Sequence, residues 1–190
     1  MDHPNTNTAS IHISPLPGRG AGGEANADQV NIDERLKPLL REVCDPEIPV
    51  LSIMDMGVVR GAVLEGKKAF IKLTPTYSGC PAMDVMAVDV QRELQKHGYE
   101  AEVELVLSPA WTTDWLTPTG RASLEAYGIA VPLEPDADKA ALMGGEKIVK
   151  CTLCGSQNTK VVSAFGSTAC KALFQCEDCL EPFDYFKCLK

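Results

Sequence analysis

Two closely spaced pairs of cysteines near the C-terminus constrain the fold of this chain more than any other feature. The pairs are Cys151 with Cys154 and Cys176 with Cys179, and residues 155–175 lie between them. Two CxxC pairs at this separation match a tetrahedral zinc ribbon in which all four thiolates bind the metal. Zinc is the expected structural metal, although an iron centre would use the same four ligands.

The segment around these cysteines is too short to form a large apolar core. Residues 159–165 and 171–175 have the composition of β-strands, and residues 166–168 suit a turn between them. Metal binding would supply the folding free energy that so small a core lacks. Two further cysteines, Cys170 and Cys188, are surplus to the ribbon. They are either packed, idle thiols or members of an alternative ligand set, and both interpretations stay open.

A second informative stretch is residues 74–84, which connects a short apolar strand pattern to a helix. The apolar side chains that follow recur every three or four residues, at Met83, Met86, Val90 and Leu94. Pro81 suits the first helical position, so Cys80 is predicted to be the N-cap residue. The positive end of the helix dipole should then lower the pKa of the Cys80 thiol and favour nucleophilic attack or metal binding. The alternative is a thiol that simply packs in the turn.

Two acidic residues, Asp45 and Glu47, lie in the proline-containing segment DPEIP at residues 45–49. This segment ends a helix that the apolar pattern predicts within residues 32–43. Ordinary turn chemistry is the simplest explanation for both carboxylates. A functional role would instead place them near Cys80, as supporting groups or metal ligands, and the spacing does not decide between the two.

The patterns along the chain predict an α+β protein, a small α/β sandwich followed by a C-terminal β zinc ribbon. Residues 1–28 contain few large apolar groups and are expected to form a disordered, dispensable tail. Residues 29–107 are expected to form the sandwich, with two parallel strands joined through the helix after Cys80. Residues 108–145 are a connecting segment, and residues 146–190 form the ribbon.

The connecting segment contains both tryptophans of the chain, Trp111 and Trp115. Large aromatic side chains contribute much of the burial energy of small proteins and also occur at binding hot spots. The interpretation we favour is that the two rings fix this segment onto the first domain.

Charge and hydropathy exclude several classes of partner. The formal net charge of −8 disfavours nucleic acid and anionic membranes. Residues 145–190 contain six lysines, no arginine and five acidic residues, so the ribbon has no basic stripe. The sequence also has no apolar run of about eighteen residues, and we expect no secretory leader, because its first residues lack a basic segment followed by an apolar one. Paired cysteines in such a chain favour metal binding in a reducing cytoplasm.

Three segments together resemble the SufT-like family of iron–sulfur assembly domains. They are the Asp-Pro-Glu turn at residues 45–49, the strand start at residues 56–59, and the loop at residues 74–81 that ends in Cys-Pro. In that family a cysteine opens the second helix. The resemblance covers about residues 36–107, and Met56 conservatively replaces the usual leucine.

Four more segments resemble the PaaD family, also called PaaJ. These are SPAWTTDW at residues 108–115, GIAVP at 128–132, FGSTACK at 165–171 and PFDYFK at 182–187. Members are accessory subunits encoded with the phenylacetyl-CoA epoxidase of bacterial phenylacetate degradation. The resemblance extends over about residues 33–190.

The resemblance implies an accessory or maturation subunit of the phenylacetyl-CoA 1,2-epoxidase system that assists iron or iron–sulfur cofactor assembly. Cys80 would be the exchangeable ligand of a transient iron ion or cluster, with Asp45, Glu47 and Thr76 supporting it. The implied partners are epoxidase subunits and iron–sulfur assembly proteins. The chain lacks the Glu-x-x-His pairs, the dinucleotide loop and the flavin motif of the oxygenase components, so we expect no catalysis by this chain alone.

Two other functions remain open. The first is a thiol enzyme with Cys80 as nucleophile, although no base is evident because His97 is expected at the far end of the helix, about 24 Å away. The second is a purely structural zinc-ribbon subunit of the oxygenase, in which Cys80 would be replaceable without effect.

Overall fold

The computed structural model describes residues 30–132, 142–143 and 149–187. The predicted tail at residues 1–28 and the surplus Cys188 lie outside these described residues. The described part is a mixed helical and sheet fold, as the sequence predicts, with its strands in one two-stranded and two three-stranded sheets. None of its helices is both long enough and apolar enough to cross a lipid bilayer.

The described elements follow one another from the first helix to the last ribbon strand. They are α1 (Lys37–Arg41), β1 (Cys44–Asp45), β2 (Ile48–Ser52), β3 (Val59–Glu65), β4 (Lys68–Leu73), α2 (Ala82–Lys96), β5 (Glu100–Leu105), a 3₁₀ turn (Thr113–Trp115), α3 (Pro118–Tyr127), β6 (Thr159–Ser163), β7 (Lys171–Cys176) and β8 (Pro182–Phe186).

The first sheet has the order β3–β4–β5, with an antiparallel hairpin and then a parallel pair. In the parallel pair Ile71 lies opposite Val103, which confirms the predicted strand–helix–strand passage. The helix between the two strands buries the face that carries Met86, Val90 and Leu94. This face packs with alternate β4 residues in one apolar core. The apolar helix face, with its period of 3.6 residues, and the apolar strand face, with its period of two residues, therefore pack into the same core.

The segment after β5 is packed against this first unit by aromatic contacts. Trp111 is 2% exposed, and its indole N–H donates to the carbonyl oxygen of Met56 at 3.0 Å. The guanidinium carbon of Arg60 lies 3.5 Å from the centre of the Trp115 ring. These contacts confirm that the tryptophans hold the segment onto the first domain.

Replacing Trp111 with phenylalanine should destabilise the protein by about 1–3 kcal/mol. The substitution keeps an aromatic ring but leaves the buried Met56 carbonyl without its donor, which costs about that much. Thermal melting of the variant beside the parent would measure the loss. An unchanged melting temperature would show that the indole hydrogen bond does not stabilise the fold.

The C-terminal module is a three-stranded antiparallel sheet of order β6–β7–β8. Its small core contains Phe174, Phe183 and Tyr185. The centroid of the Phe174 ring lies 5.9 Å from that of Phe183 and 5.3 Å from that of Tyr185. The third strand was not among the sequence predictions. Its residues Phe183 and Tyr185 are buried in this core, so the strand completes it.

The ribbon is continuous with the first unit and shares its core. Cys170 and Phe186 of the ribbon belong to the first unit's apolar cluster. The ring of Phe186 meets that of Trp111 edge-on, with centroids 5.9 Å apart. Ala130, which follows α3, also donates its N–H to the Asp184 carbonyl at 2.8 Å. These contacts place side chains of the ribbon in the core of the first unit.

Candidate functional site

The four ribbon cysteines form a compact group of sulfur atoms. Their ligand atoms all lie within 4.8 Å of one another. The Sγ atoms of Cys151 and Cys179 are 3.7 Å apart, and those of Cys154 and Cys176 are 3.6 Å apart. Tetrahedral zinc with Zn–S bonds of about 2.3 Å places its sulfurs about 3.8 Å apart. The group therefore has the dimensions of a tetrahedral metal site.

Backbone and side-chain hydrogen bonds shape the two loops that carry these sulfurs. The N–H of Leu153 donates to Cys151 Sγ at 3.4 Å, and the N–H of Cys179 donates to Cys176 Sγ at 3.5 Å. The second of these bonds is the main reason why the pKa of Cys176 falls to about 7. Donation to sulfur favours the thiolate, which is the form that binds metal.

Asp178 braces the two loops against each other. Its carboxylate accepts from the side-chain amide of Asn158 at 2.7 Å and from the hydroxyl of Ser156. Both partners follow the first cysteine pair in the chain, whereas Asp178 lies inside the second pair. Such outer contacts fix the direction in which metal ligands point.

Cys80 lies one residue earlier than the sequence predicts relative to the helix. The helix α2 begins at Ala82, and Pro81, with helical dihedral angles, is its N-cap residue. The Cys80 thiol nevertheless lies near the N–H of Ala82 and the Tyr77 hydroxyl, and both groups favour its thiolate. It is partly buried and packs against the first core. The thiol is thus at the helix start, although Cys80 is not the capping residue.

The prediction that Cys80 has a lowered pKa is wrong. Burial raises the pKa of the Cys80 thiol above its usual value, and the charges of Asp45 and Glu47 raise it further. The Ala82 N–H and the Tyr77 hydroxyl act in the opposite direction without reversing the shift. Desolvation disfavours the thiolate directly, and here it outweighs the groups that favour the thiolate.

Asp45 performs the turn chemistry that the sequence suggests. Its Oδ1 accepts from the N–H of Glu47 at 2.6 Å and from the N–H of Ile48 at 3.2 Å. The turn connects β1 with β2 and leaves Asp45 only 4% exposed. The same turn brings both carboxylates close enough to act electrostatically on Cys80. Turn chemistry and proximity to the thiol therefore occur together.

A second thiol, Cys170, lies within the same electrostatic environment. Cys170 is 3% exposed, and its Sγ is 3.1 Å from the hydroxyl oxygen of Thr168. Burial raises its pKa to about 11, and the charges of Asp45, Glu47 and Cys80 contribute to the rise. The sequence left open whether Cys170 is a packed, idle thiol or a member of an alternative ligand set. The only signal was its place in the FGSTACK segment.

Tyr77 lies beside both thiols. The pKa of its hydroxyl is raised to about 12. Burial is the largest cause, and the charges of Cys80 and Cys170 also contribute. We call Cys80, Cys170, Asp45, Glu47 and Tyr77 the thiol–carboxylate cluster. Thr76, which was predicted to support Cys80, is buried in the same loop. Its support for Cys80 remains a prediction.

The raised pKa of Cys80 predicts slow alkylation in the metal-free cluster. Only the thiolate reacts, so half-maximal modification by iodoacetamide should occur above about pH 8.5, the value for an ordinary cysteine. Glu47→Gln removes one of the charges that raise this pKa and should therefore speed the reaction at pH 8. Peptide mass spectrometry would follow Cys80 specifically. Half-maximal modification below pH 8 in the parent would contradict the burial of the thiol.

Two family models match this chain, and together they cover both units. One is described as an iron–sulfur cluster assembly protein and matches residues 33–105. The other is described as the PaaD zinc beta ribbon domain and matches residues 135–187. The first range contains Cys80, and the second contains Cys170 and the four clustered cysteines.

Two curated proteins and a solved structure are similar to this chain over different shares of its length. A protein of Escherichia coli K12 described as a component of a putative 1,2-phenylacetyl-CoA epoxidase is 46% identical over 152 residues, which are 80% of this chain and 90% of that protein. An Fe-S protein maturation auxiliary factor of Porphyromonas gingivalis is 29% identical over 96 residues. These residues are 48% of this chain and 90% of that factor. A solved DUF59 domain from Bacillus anthracis is 28% identical to this chain, with a TM-score of 0.45. The match covers 47% of this chain and 88% of that domain. On its similarity to the epoxidase component, the chain belongs to the PaaD family.

Proposed function

We propose that this protein is an accessory maturation factor of a phenylacetyl-CoA epoxidase and assists assembly of an iron or iron–sulfur cofactor. The observation that carries the proposal is the position of the Cys80 thiol beside Asp45 and Glu47. This group lies in the part of the chain that resembles iron–sulfur assembly proteins. The relative named as an epoxidase component supplies the system in which the factor would act.

In this proposal Cys80 carries the metal cargo. Iron binding replaces the thiol proton, which leaves to solvent, and the neighbouring carboxylates attract the cation. Because the metal-free thiol has a raised pKa, protons compete with the metal at neutral pH. Such competition weakens retention and suits a site that must pass its metal on. Thr76 and the Ala82 N–H would position the thiol.

The Cys₄ group would hold a resident zinc ion with a structural role. Four thiolates in tetrahedral arrangement are typical of closed zinc sites, which leave no position open for a substrate. The ribbon would thereby provide a stable surface for docking on epoxidase subunits or iron–sulfur assembly proteins. A reducing cytoplasm is the compartment that keeps these thiols available.

The described residues place no imidazole base within reach of Cys80. The one imidazole among them is His97, which lies 3.3 Å from Glu93 at the end of α2 opposite Cys80. The length of the helix places it about 24 Å from the thiol at 1.5 Å per residue. Proton abstraction from Cys80 by this side chain is therefore excluded by distance.

Deleting the coding sequence from a host that degrades phenylacetate tests the proposal. We expect the epoxidase polypeptides to accumulate normally but to contain little iron, and growth on phenylacetate to fail. Restoring the parent sequence is the control. Epoxidase with full iron content and activity in the deletion strain would refute a maturation role. Full iron content without activity would instead support the structural-subunit alternative.

A further inference from the structure

The ribbon places the Cys170 thiol in the core of the first unit, close enough to Cys80 for the two to interact electrostatically. Cys170 belongs to the apolar core of the first unit rather than to the core of the ribbon, and Cys80 packs against that same core. Tyr77 lies close enough to both Cys80 and Cys170 for each of them to act on its hydroxyl. Residues about ninety positions apart in the sequence thus contribute to one cluster.

We propose that Cys80 and Cys170, together with the Glu47 carboxylate, form one shared binding site for a single ferrous ion. This inference rests on the proposed function and adds to it that the ribbon supplies one of two thiolate ligands. Binding replaces two thiol protons, which leave to solvent. The oxidation state of the iron does not change.

The kinds of donor atom favour a single divalent ion over a cluster. Iron–sulfur clusters are held by cysteine thiolates, usually four, and the described cluster offers two. Two sulfurs and a carboxylate oxygen form a mixed set that suits a borderline cation such as Fe²⁺. Asp45 already uses one oxygen for two backbone N–H groups, so it contributes charge and fixes the turn.

Glu47 has a free coordination position. Its Oε2 is buried and has no hydrogen-bond partner among the described residues. Buried carboxylate oxygens without a partner are uncommon and require an explanation such as an ion.

The shared site is less tightly assembled than the ribbon site. Among the described residues, the four ribbon cysteines form a group of metal-ligand side chains whose ligand atoms all lie within 4.8 Å of one another. The thiol–carboxylate cluster does not reach this closeness, so its ligands must draw together around the ion. A site that has to reorganise binds less tightly than a closed one, as a transfer site requires.

The ribbon fold fixes the position of Cys170. Its carbonyl oxygen accepts from the N–H of Lys187 at 2.9 Å, and the next residue begins β7. The N–H of Gly166 likewise donates to the Lys171 carbonyl at 2.7 Å and closes the loop that carries Cys170. A folded ribbon is therefore needed to place the second thiol.

Anaerobic titration of the full chain, with its ribbon zinc retained, tests the shared site. Fe²⁺ is added against a competing chelator, and Co²⁺ serves as a probe because its thiolate complexes absorb strongly in the near ultraviolet. The parent should bind one ion beyond the ribbon zinc. Cys170→Ser and Glu47→Gln should each weaken this binding by about tenfold or more, since even residues that contact only a metal's ligands have effects of that size. Cys170→Ser should also lose about half of the Co²⁺ charge-transfer absorption, because one of two thiolates is gone.

Cys44→Ser is the matched control. Cys44 is a partly buried cysteine of β1 whose electrostatic neighbours are Glu42, Asp45 and Asp55, and its replacement should leave binding unchanged. Zinc content and melting curves establish that each variant is folded, and Cys170→Ala provides an apolar replacement if the serine variant is unstable. Parent-like binding in the folded Cys170 variants would overturn the shared site. If Cys80→Ser lost the ion in that case, the proposed cargo role of Cys80 would stand; if it retained the ion, that role would fail as well.

Discussion

Removing the metal from the ribbon, or replacing Cys176 with serine, is expected to unfold the C-terminal module. Structural zinc contributes about 10–16 kcal/mol to folding in small zinc modules, which exceeds or matches the whole stability of a typical domain. The apolar core of the module is small and is completed by β8. It therefore cannot compensate for the loss of the metal.

The loss should extend to the first unit. Cys170 and Phe186 contribute to the first unit's core, and Phe186 packs edge-on against Trp111. Deleting a buried phenylalanine contact costs about 3–5 kcal/mol. We therefore expect the first unit to keep its helices after chelation but to melt at a lower temperature.

Circular dichroism and metal analysis before and after exhaustive chelation would measure both effects. The Cys44→Ser variant controls for the loss of a thiol that is outside the metal site, and it should retain one zinc ion and melt like the parent. A ribbon that stays folded without metal would show that its apolar core is sufficient.

Replacing Cys80 with serine is expected to abolish function while leaving the fold intact. The serine hydroxyl is nearly isosteric with the thiol, and serine is well suited to a helix N-terminus. Both units should melt as in the parent, and the ribbon should keep its zinc. A hydroxyl, however, is not ionised near neutral pH and is a hard, weak ligand, whereas a thiolate binds iron strongly.

Cells that carry only the Cys80→Ser protein should therefore lose growth on phenylacetate. Cells that carry Cys44→Ser should grow like the parent, because Cys44 lies outside the thiol–carboxylate cluster. Normal growth of both strains would make Cys80 a packing residue. It would favour the structural-subunit function.

Local patterns made the ribbon and the β4–α2–β5 passage predictable. The spacing of two cysteine pairs restricts metal geometry directly, and helix and strand periods select the buried faces of α2 and β4. The short strands β1 and β2 were missed because they read as a proline turn. β8 was missed because its alternation is short and it begins with Pro182.

The chemistry around Cys80 was less accessible from the sequence. The dipole argument considers only the local helix, whereas the pKa of Cys80 is raised by tertiary burial and by Asp45 and Glu47. Cys170 joins this environment only because the ribbon packs onto the first core. No spacing rule connects two thiols so far apart in the sequence.

The most direct test of the account is the iron content of the epoxidase purified from cells that carry only the Cys80→Ser protein. The purification should be anaerobic, and the melting curve and zinc content of the variant should be measured beside it. The account predicts a stable, zinc-containing variant together with an epoxidase that is present in normal amount but poor in iron. A normal iron content in the epoxidase, beside an equally stable Cys80→Ser protein, would contradict iron delivery through Cys80.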